Sequence, residues 1–140
     1  MADIRLVEVT DRPLDPGAIE RLVGDDRAGA VVCFSGNVRD HDHGRVVASL
    51  TYEAHPTADS VLKDVAQEIA SRFDLVALAV AHRLGPIAIG DAALVAAVST
   101  GHRGDAFAAC AALVDLTKER LPVWKHQVFA DGTDEWVNCA

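Results

Sequence analysis

The chain has 140 residues, half of them hydrophobic and 24% charged, which is the size of one domain with room for a sizeable core. A formal net charge of −8 excludes a general binder of nucleic acid or anionic membrane, and it makes any local cluster of Arg, Lys and His stand out. No apolar run is long enough to span a bilayer, Met-Ala-Asp-Ile-Arg at the start lacks the shape of a signal peptide, and Cys33, Cys110 and Cys139 fit no simple disulfide framework, so a cytoplasmic location is expected.

In chain order, residues Ile4 to Val9 read as a first strand. Asp15-Pro16 predicts a helix start, with Asp as N-cap and Pro at the first helical position. That short helix carries Ile19, Leu22 and Val23 and ends in Gly24-Asp25-Asp26. Gly29 to Val38 is a continuous, β-branched run that predicts a buried strand. A polar loop, Arg39 to Gly44, follows. From Val46 to Ala54 the alternation puts Val46, Ala48, Leu50 and Tyr52 on one face of a half-buried strand.

His55-Pro56-Thr57 opens a helix with Val61, Leu62, Val65, Ile69 and Phe73 at helical spacing. Leu75 to Ala81 predicts a strand, with His82 to Pro86 as its exit, and Ala92 to Val98 predicts another. A helix is expected from about Asp105 to Arg120, burying Phe107, Cys110, Ala111, Leu113, Val114 and Thr117. Val123 to Phe129 is the strand after Pro122, Asp131-Gly132 is a turn, and Trp136-Val137 closes the pattern. Adjacent strands in pairs among about three helices predict a single α+β domain with mixed sheets, covering residues 1–140.

Four polar stretches can carry chemistry. The chain has three lysines, and Lys118 and Lys125 stand on either side of Pro122. A proline there breaks a continuous helix, so Lys118 is expected in a last helical turn and Lys125 on the next strand. A positioned lysine can act as acid or base while its neighbour holds an anion. On that strand Lys125 and Gln127 share one face, Trp124 and His126 the other. Asn37-Val38-Arg39 ends a strand, where an arginine can grip an anion with two N–H groups. His102-Arg103 precedes a helix, whose free N–H groups suit phosphate. Asp40-His41-Asp42-His43 is a weak metal pattern, read as a flexible acidic loop. Chemistry alone points to a phosphate- or carboxylate-bearing substrate and names no reaction.

These stretches, in this order, resemble the large, catalytic subunit of molybdopterin synthase. The resemblance rests on Gly-Asn-Val-Arg-Asp-His from Gly36, Leu-Thr-Tyr-Glu-Ala-His-Pro from Leu50 and His-Arg-Leu-Gly-Pro-Ile-Ala-Ile-Gly-Asp from His82. It continues in Val-Ser-Thr-Gly-His-Arg-Gly-Asp-Ala-Phe from Val98 and Leu-Thr-Lys-Glu-Arg-Leu-Pro-Val-Trp-Lys from Leu116. It implies an α/β-hammerhead-type fold and a sulfurtransferase that converts cyclic pyranopterin monophosphate (precursor Z) to molybdopterin. The sulfur would come from the thiocarboxylated C-terminus of a small ubiquitin-like subunit, within a heterotetramer built on a homodimer, with no metal or cofactor. Lys118 and Lys125 would be catalytic. Asn37, Val38, Arg39, His102, Arg103, His126 and Gln127 would join them in binding substrate. Two departures stand out: position 37 is Asn where members often carry Lys, and the sequence ends at Ala140 where many continue into a polar tail. The rival expectations are a non-catalytic partner-docking homologue, which needs no lysine pair, and a metal-dependent phosphohydrolase using His41, His43 and His102.

Overall fold

The computed structural model describes residues 2–138, so Cys139 lies outside the described residues. In chain order the elements are β1 (Asp3–Thr10), α1 (Pro16–Leu22), β2 (Ala30–Asn37), β3 (His41–Asp42), β4 (Arg45–Ala54) and α2 (Ala58–Arg72). Then come β5 (Ala77–Arg83), β6 (Gly85–Ile87), β7 (Ala92–Thr100), α3 (Arg103–Arg120), β8 (Val123–Phe129) and β9 (Asp134–Val137). Three helices with mixed sheets make the expected α+β architecture.

The first sheet has the order β1-β5-β7-β2, with β1 parallel to β5 and the other pairs antiparallel. Its central strands are rich in Ala and Val because both faces are covered. Leu78, Val80, Leu94, Ala96 and Val98 pack in one cluster with Leu62, Val65 and Ile69 of α2 and Leu113 of α3. Ala77, Ala79, Ala81, Val95 and Ala97 pack on the other face with Ile19 and Val23 beside α1. The start of α1 is as its sequence predicts: the Asp15 carboxylate accepts from the Ala18 N–H at 3.2 Å, with Pro16 in the first turn. The second sheet runs β3-β4-β8-β9, and β6 pairs with β4 at Leu50 to Tyr52.

Five local expectations need correction, the first being β2, which is not buried as predicted but half-buried at the edge of its sheet, with Val31 42% exposed. On β4 the buried residues are Val47, Leu50 and Tyr52, whereas Val46 is 61% exposed. The ladder pairs Val47 with Phe129 and Ser49 with Val128, skipping Ala48; this β-bulge reverses the parity of the strand at that point. On α3, Phe107 is 62% exposed and Ala111 is exposed too, because Ala106, Ala109, Cys110, Leu113 and Thr117 already form the buried stripe and both lie one helical step off it. The strand predicted from Leu75 instead spans Ala77–Arg83, so His82 belongs to β5, opposite Val9 and Leu94. The loop Arg39 to Gly44 contains a hairpin: β3 pairs with the start of β4 across His43 (φ 49°) and Gly44 (φ 74°), the positive φ values that a two-residue hairpin turn requires. Among the described residues no helix is long and apolar enough to cross a membrane.

Candidate active site

The helix-to-strand break at Pro122 organises the site. Leu121, the residue before the proline, is extended (φ −67°, ψ 119°), as a pre-proline residue must be, and its side chain is buried in the core. Three residues before it, Lys118 sits in the last turn of α3; four after it, Lys125 sits on β8. Both line one cavity of about 230 Å³.

The cavity lies where the two sheets meet. From the second sheet, Tyr52 is paired with Lys125 and Leu50 with Gln127, and side chains of directly opposed residues share a face. The first sheet brings His82, Ala93 and Leu94, and the end of β2 brings Gly36 and Asn37. Val38 is held between strands: its N–H donates to the Asp91 carbonyl at 2.9 Å and its carbonyl accepts from Gly90 at 2.8 Å. That anchor presents Arg39 at the rim, two-thirds exposed. His41 and Asp42 of the hairpin complete the wall.

Arg39, Lys118 and Lys125 oppose a single carboxylate in this lining, Asp42. Asp42 accepts from the Gln127 amide at 2.7 Å and from the Arg39 guanidinium at 3.4 Å. The Gln127 bond, more than the charges of His43, Lys125 and Arg39, holds its carboxyl below the usual range against the opposing effect of burial. The cavity therefore keeps an excess of positive charge on an acidic protein, suited to an anionic ligand. Two lysines at its wall can move protons or hold developing negative charge.

The structure brings together Asn37, Val38, Arg39, Lys118, Lys125 and Gln127. It places three predicted residues elsewhere. His126 points to the opposite face of β8, stacked on Trp136 with centroids 4.5 Å apart and bonded through Nε2 to Asp134 at 2.8 Å. His102 caps the start of α3 and Arg103 is its first residue, both exposed. A helix rises 1.5 Å per residue, so Arg103 lies roughly 22 Å along α3 from Lys118. The acidic loop joins its own groups, with His41 Nδ1 2.7 Å from Asp40 and Asp42 turned to Gln127. Among the described residues no three His, Cys, Asp or Glu side chains converge. Sequence reasoning missed Tyr52 and His82. A histidine at the end of an otherwise apolar run was the available signal for His82; Tyr52 has no local signal beyond its place on the strand.

Comparison with known proteins gives a consistent result. Residues 9–120 match the family model described as MoaE protein. The molybdopterin synthase catalytic subunit of Aspergillus niger is 38% identical over 131 residues, 93% of this chain and 73% of that protein. The molybdopterin synthase catalytic subunit of Thermoplasma volcanium is 34% identical over 131 residues, 93% of this chain and 96% of that protein. The X-ray crystal structure of molybdopterin synthase from Staphylococcus aureus matches with a TM-score of 0.85 and 31% identity, covering 93% of this chain and 95% of that one. With the family model spanning most of its length and relatives of this identity across nearly all of it, the chain belongs to the MoaE protein family, that of the molybdopterin synthase catalytic subunits.

Proposed function

We propose that this protein is the sulfur-transferring subunit of a molybdopterin synthase, converting precursor Z to molybdopterin with sulfur from the thiocarboxylated tail of a small ubiquitin-like subunit. The observation that carries the reading is the delivery of Lys118 and Lys125 to one cavity rimmed by Arg39. The name "catalytic subunit" borne by its relatives supports a further subunit, which this reading takes as the sulfur carrier. The proposed location is cytoplasmic.

In this reading the thiocarboxylate sulfur attacks a side-chain carbon of the substrate as a C–O bond there breaks. Water then cleaves the resulting thioester and frees the tail as a carboxylate, and a second thiocarboxylate supplies the second sulfur in the same way. Lys118 and Lys125 transfer protons and stabilise the charge that develops, while Arg39 binds the phosphate as its cyclic ester opens. Asn37, Val38 and Gln127 shape the pocket, with Gln127 acting through Asp42. The distance along α3 between Arg103 and Lys118 argues against His102 and Arg103 serving the same cavity within one chain. They are assigned to the cavity of a second copy, in a homodimer inside the heterotetramer. His126, turned away from the cavity, is assigned to supporting β9 through Trp136.

The test is metal-free incubation of the purified protein with thiocarboxylated small subunit and precursor Z, assayed for molybdopterin. Product is expected, and it should vanish in Lys118→Ala and in Lys125→Ala. Turnover retained by both variants overturns the assignment. Mixing Lys118→Ala protein with Arg103→Ala protein should restore activity if the second copy supplies Arg103; no restoration rejects that arrangement.

A further inference from the structure

His82 is a buried group at this cavity whose chemistry the proposed reaction leaves unused. Its side chain is wholly buried near the end of β5, yet it belongs to the cavity lining. Nδ1 lies 2.8 Å from the Arg83 carbonyl oxygen. A carbonyl offers only lone pairs, so Nδ1 must carry the proton and Nε2 presents a bare lone pair. Tyr52 fixes the ring edge-on, with centroids 4.7 Å apart at 82°. Nε2 is buried and has no hydrogen-bond partner among the described residues.

The electrostatics hold the ring in that neutral form. Burial first, and then the positive charge of Lys118, push its pKa down to about 4, with the Arg83 bond opposing them. A buried acceptor left without a donor is costly to a fold, and a ring in a cavity wall, locked in one tautomer with its lone pair unanswered, is a preformed half of a hydrogen bond.

We propose that Nε2 of His82 accepts a hydrogen bond from an N–H group of the molecule that fills the cavity, making His82 a specificity-determining residue of the site. This inference rests on the reading of the preceding section. There the N–H has two sources, a backbone amide of the partner's inserted tail or an N–H of the pyranopterin. A ligand with an acceptor at that point would meet lone pair against lone pair and be rejected.

Two variants and one spectrum test it. His82→Leu removes the acceptor, whereas His82→Gln can present an amide oxygen near the same place. The affinity of the small subunit in its carboxylate form is measured by calorimetry. The KM and kcat for precursor Z are measured with saturating thiocarboxylated subunit. Loss of one such bond corresponds to roughly tenfold. A roughly tenfold weaker Kd in His82→Leu, recovered in His82→Gln, assigns the donor to the tail; a roughly tenfold higher KM with Kd unchanged assigns it to the pterin. Because either variant can misfold, the imidazole nitrogen resonances of ¹⁵N-histidine-labelled wild-type protein are followed as each ligand is added. The Nε2 signal of His82 should move on addition of the ligand that donates. Product formation with an Nε2 signal unmoved by either ligand overturns the proposal. A wild-type protein that makes no product but whose Nε2 signal moves overturns the catalytic reading and keeps this one.

Discussion

Gln127 donates one side-chain N–H to Asp42 at 2.7 Å and another to Glu135 at 3.0 Å, joining the β3 hairpin to β9 through the floor of the cavity. Gln127 is buried, so water cannot replace it readily. Gln127→Leu should destabilise the fold by about 1–3 kcal/mol, the cost of stranding buried polar partners, measured by the urea midpoint. Asp42 has a folded pKa below its ordinary 3.8. Its contribution is thus present above that value and is lost as pH falls through the folded pKa. The stability gap between wild type and Gln127→Leu should therefore narrow below about pH 4. A gap that stays constant from pH 7 to pH 3 would assign the loss to packing alone.

Arginine substitutions separate the two roles given to the lysines. Lys118→Arg and Lys125→Arg keep a positive charge but offer a guanidinium that does not give up its proton. A lysine that transfers a proton should lose roughly 10²–10⁴-fold in kcat on replacement by either Ala or Arg. A lysine that only holds charge should lose activity with Ala and recover much of it with Arg. Single-turnover rates with thiocarboxylated small subunit and precursor Z decide between these outcomes for each position.

The convergence of Lys118 and Lys125 was legible because Pro122 forces a helix end and a strand start within seven residues. The Asp15-Pro16 helix start was legible for the same local reason. The burial of Val47 was not, because the bulge at Ala48 is set by the partner strand through Val128 and Phe129. Phe107 misled because α3 is so rich in alanine that several faces look equally able to pack, and the sheet beneath it chose the stripe through Ala106 and Ala109. His82 was placed in a connection because the end of β5 depends on pairing with Val9 and Leu94, far away in sequence. The separation of His102 and Arg103 from Lys118, in contrast, follows from the predicted length of the helix between them.

Gly29 approaches the loop before α3 more closely than any side chain allows. A Cβ at this position would lie 2.4 Å from the Gly101 carbonyl oxygen, a backbone atom. Gly29→Ala should cost about 1–3 kcal/mol as an overpacked contact and should lower the melting temperature. Gly104 provides the control: it lies in the first turn of α3 with nothing within 4 Å of an added Cβ. Gly104→Ala should leave stability unchanged or raise it by up to about 1 kcal/mol. Equal effects of the two substitutions would mean that the Gly29 contact relaxes freely.

Asp25 supplies the clearest pH dependence outside the site. Its carboxylate accepts from Arg5 at 2.7 Å, from the Arg27 side chain at 2.9 and 3.0 Å, and from the Arg27 backbone N–H at 2.9 Å. Arg5 also donates to the carbonyls of Leu22 and Gly24, each at 3.0 Å, tying β1 to the end of α1. Bonds from the Arg27 side chain, then its backbone, then Arg5 hold the Asp25 carboxyl well below the ordinary 3.8. With the folded pKa depressed, the stabilisation is complete above the unfolded value and is lost as pH falls through the folded one. Asp25→Asn should therefore melt at a lower temperature than wild type at pH 7, and the difference should shrink progressively below about pH 4. Added salt at pH 7 should also reduce the difference, because these groups lie where mobile ions can screen them. Thermal unfolding across pH 2.5 to 7, at low and high salt, checks both; a difference insensitive to pH and salt would place the role of Asp25 in loop geometry and not in its charge.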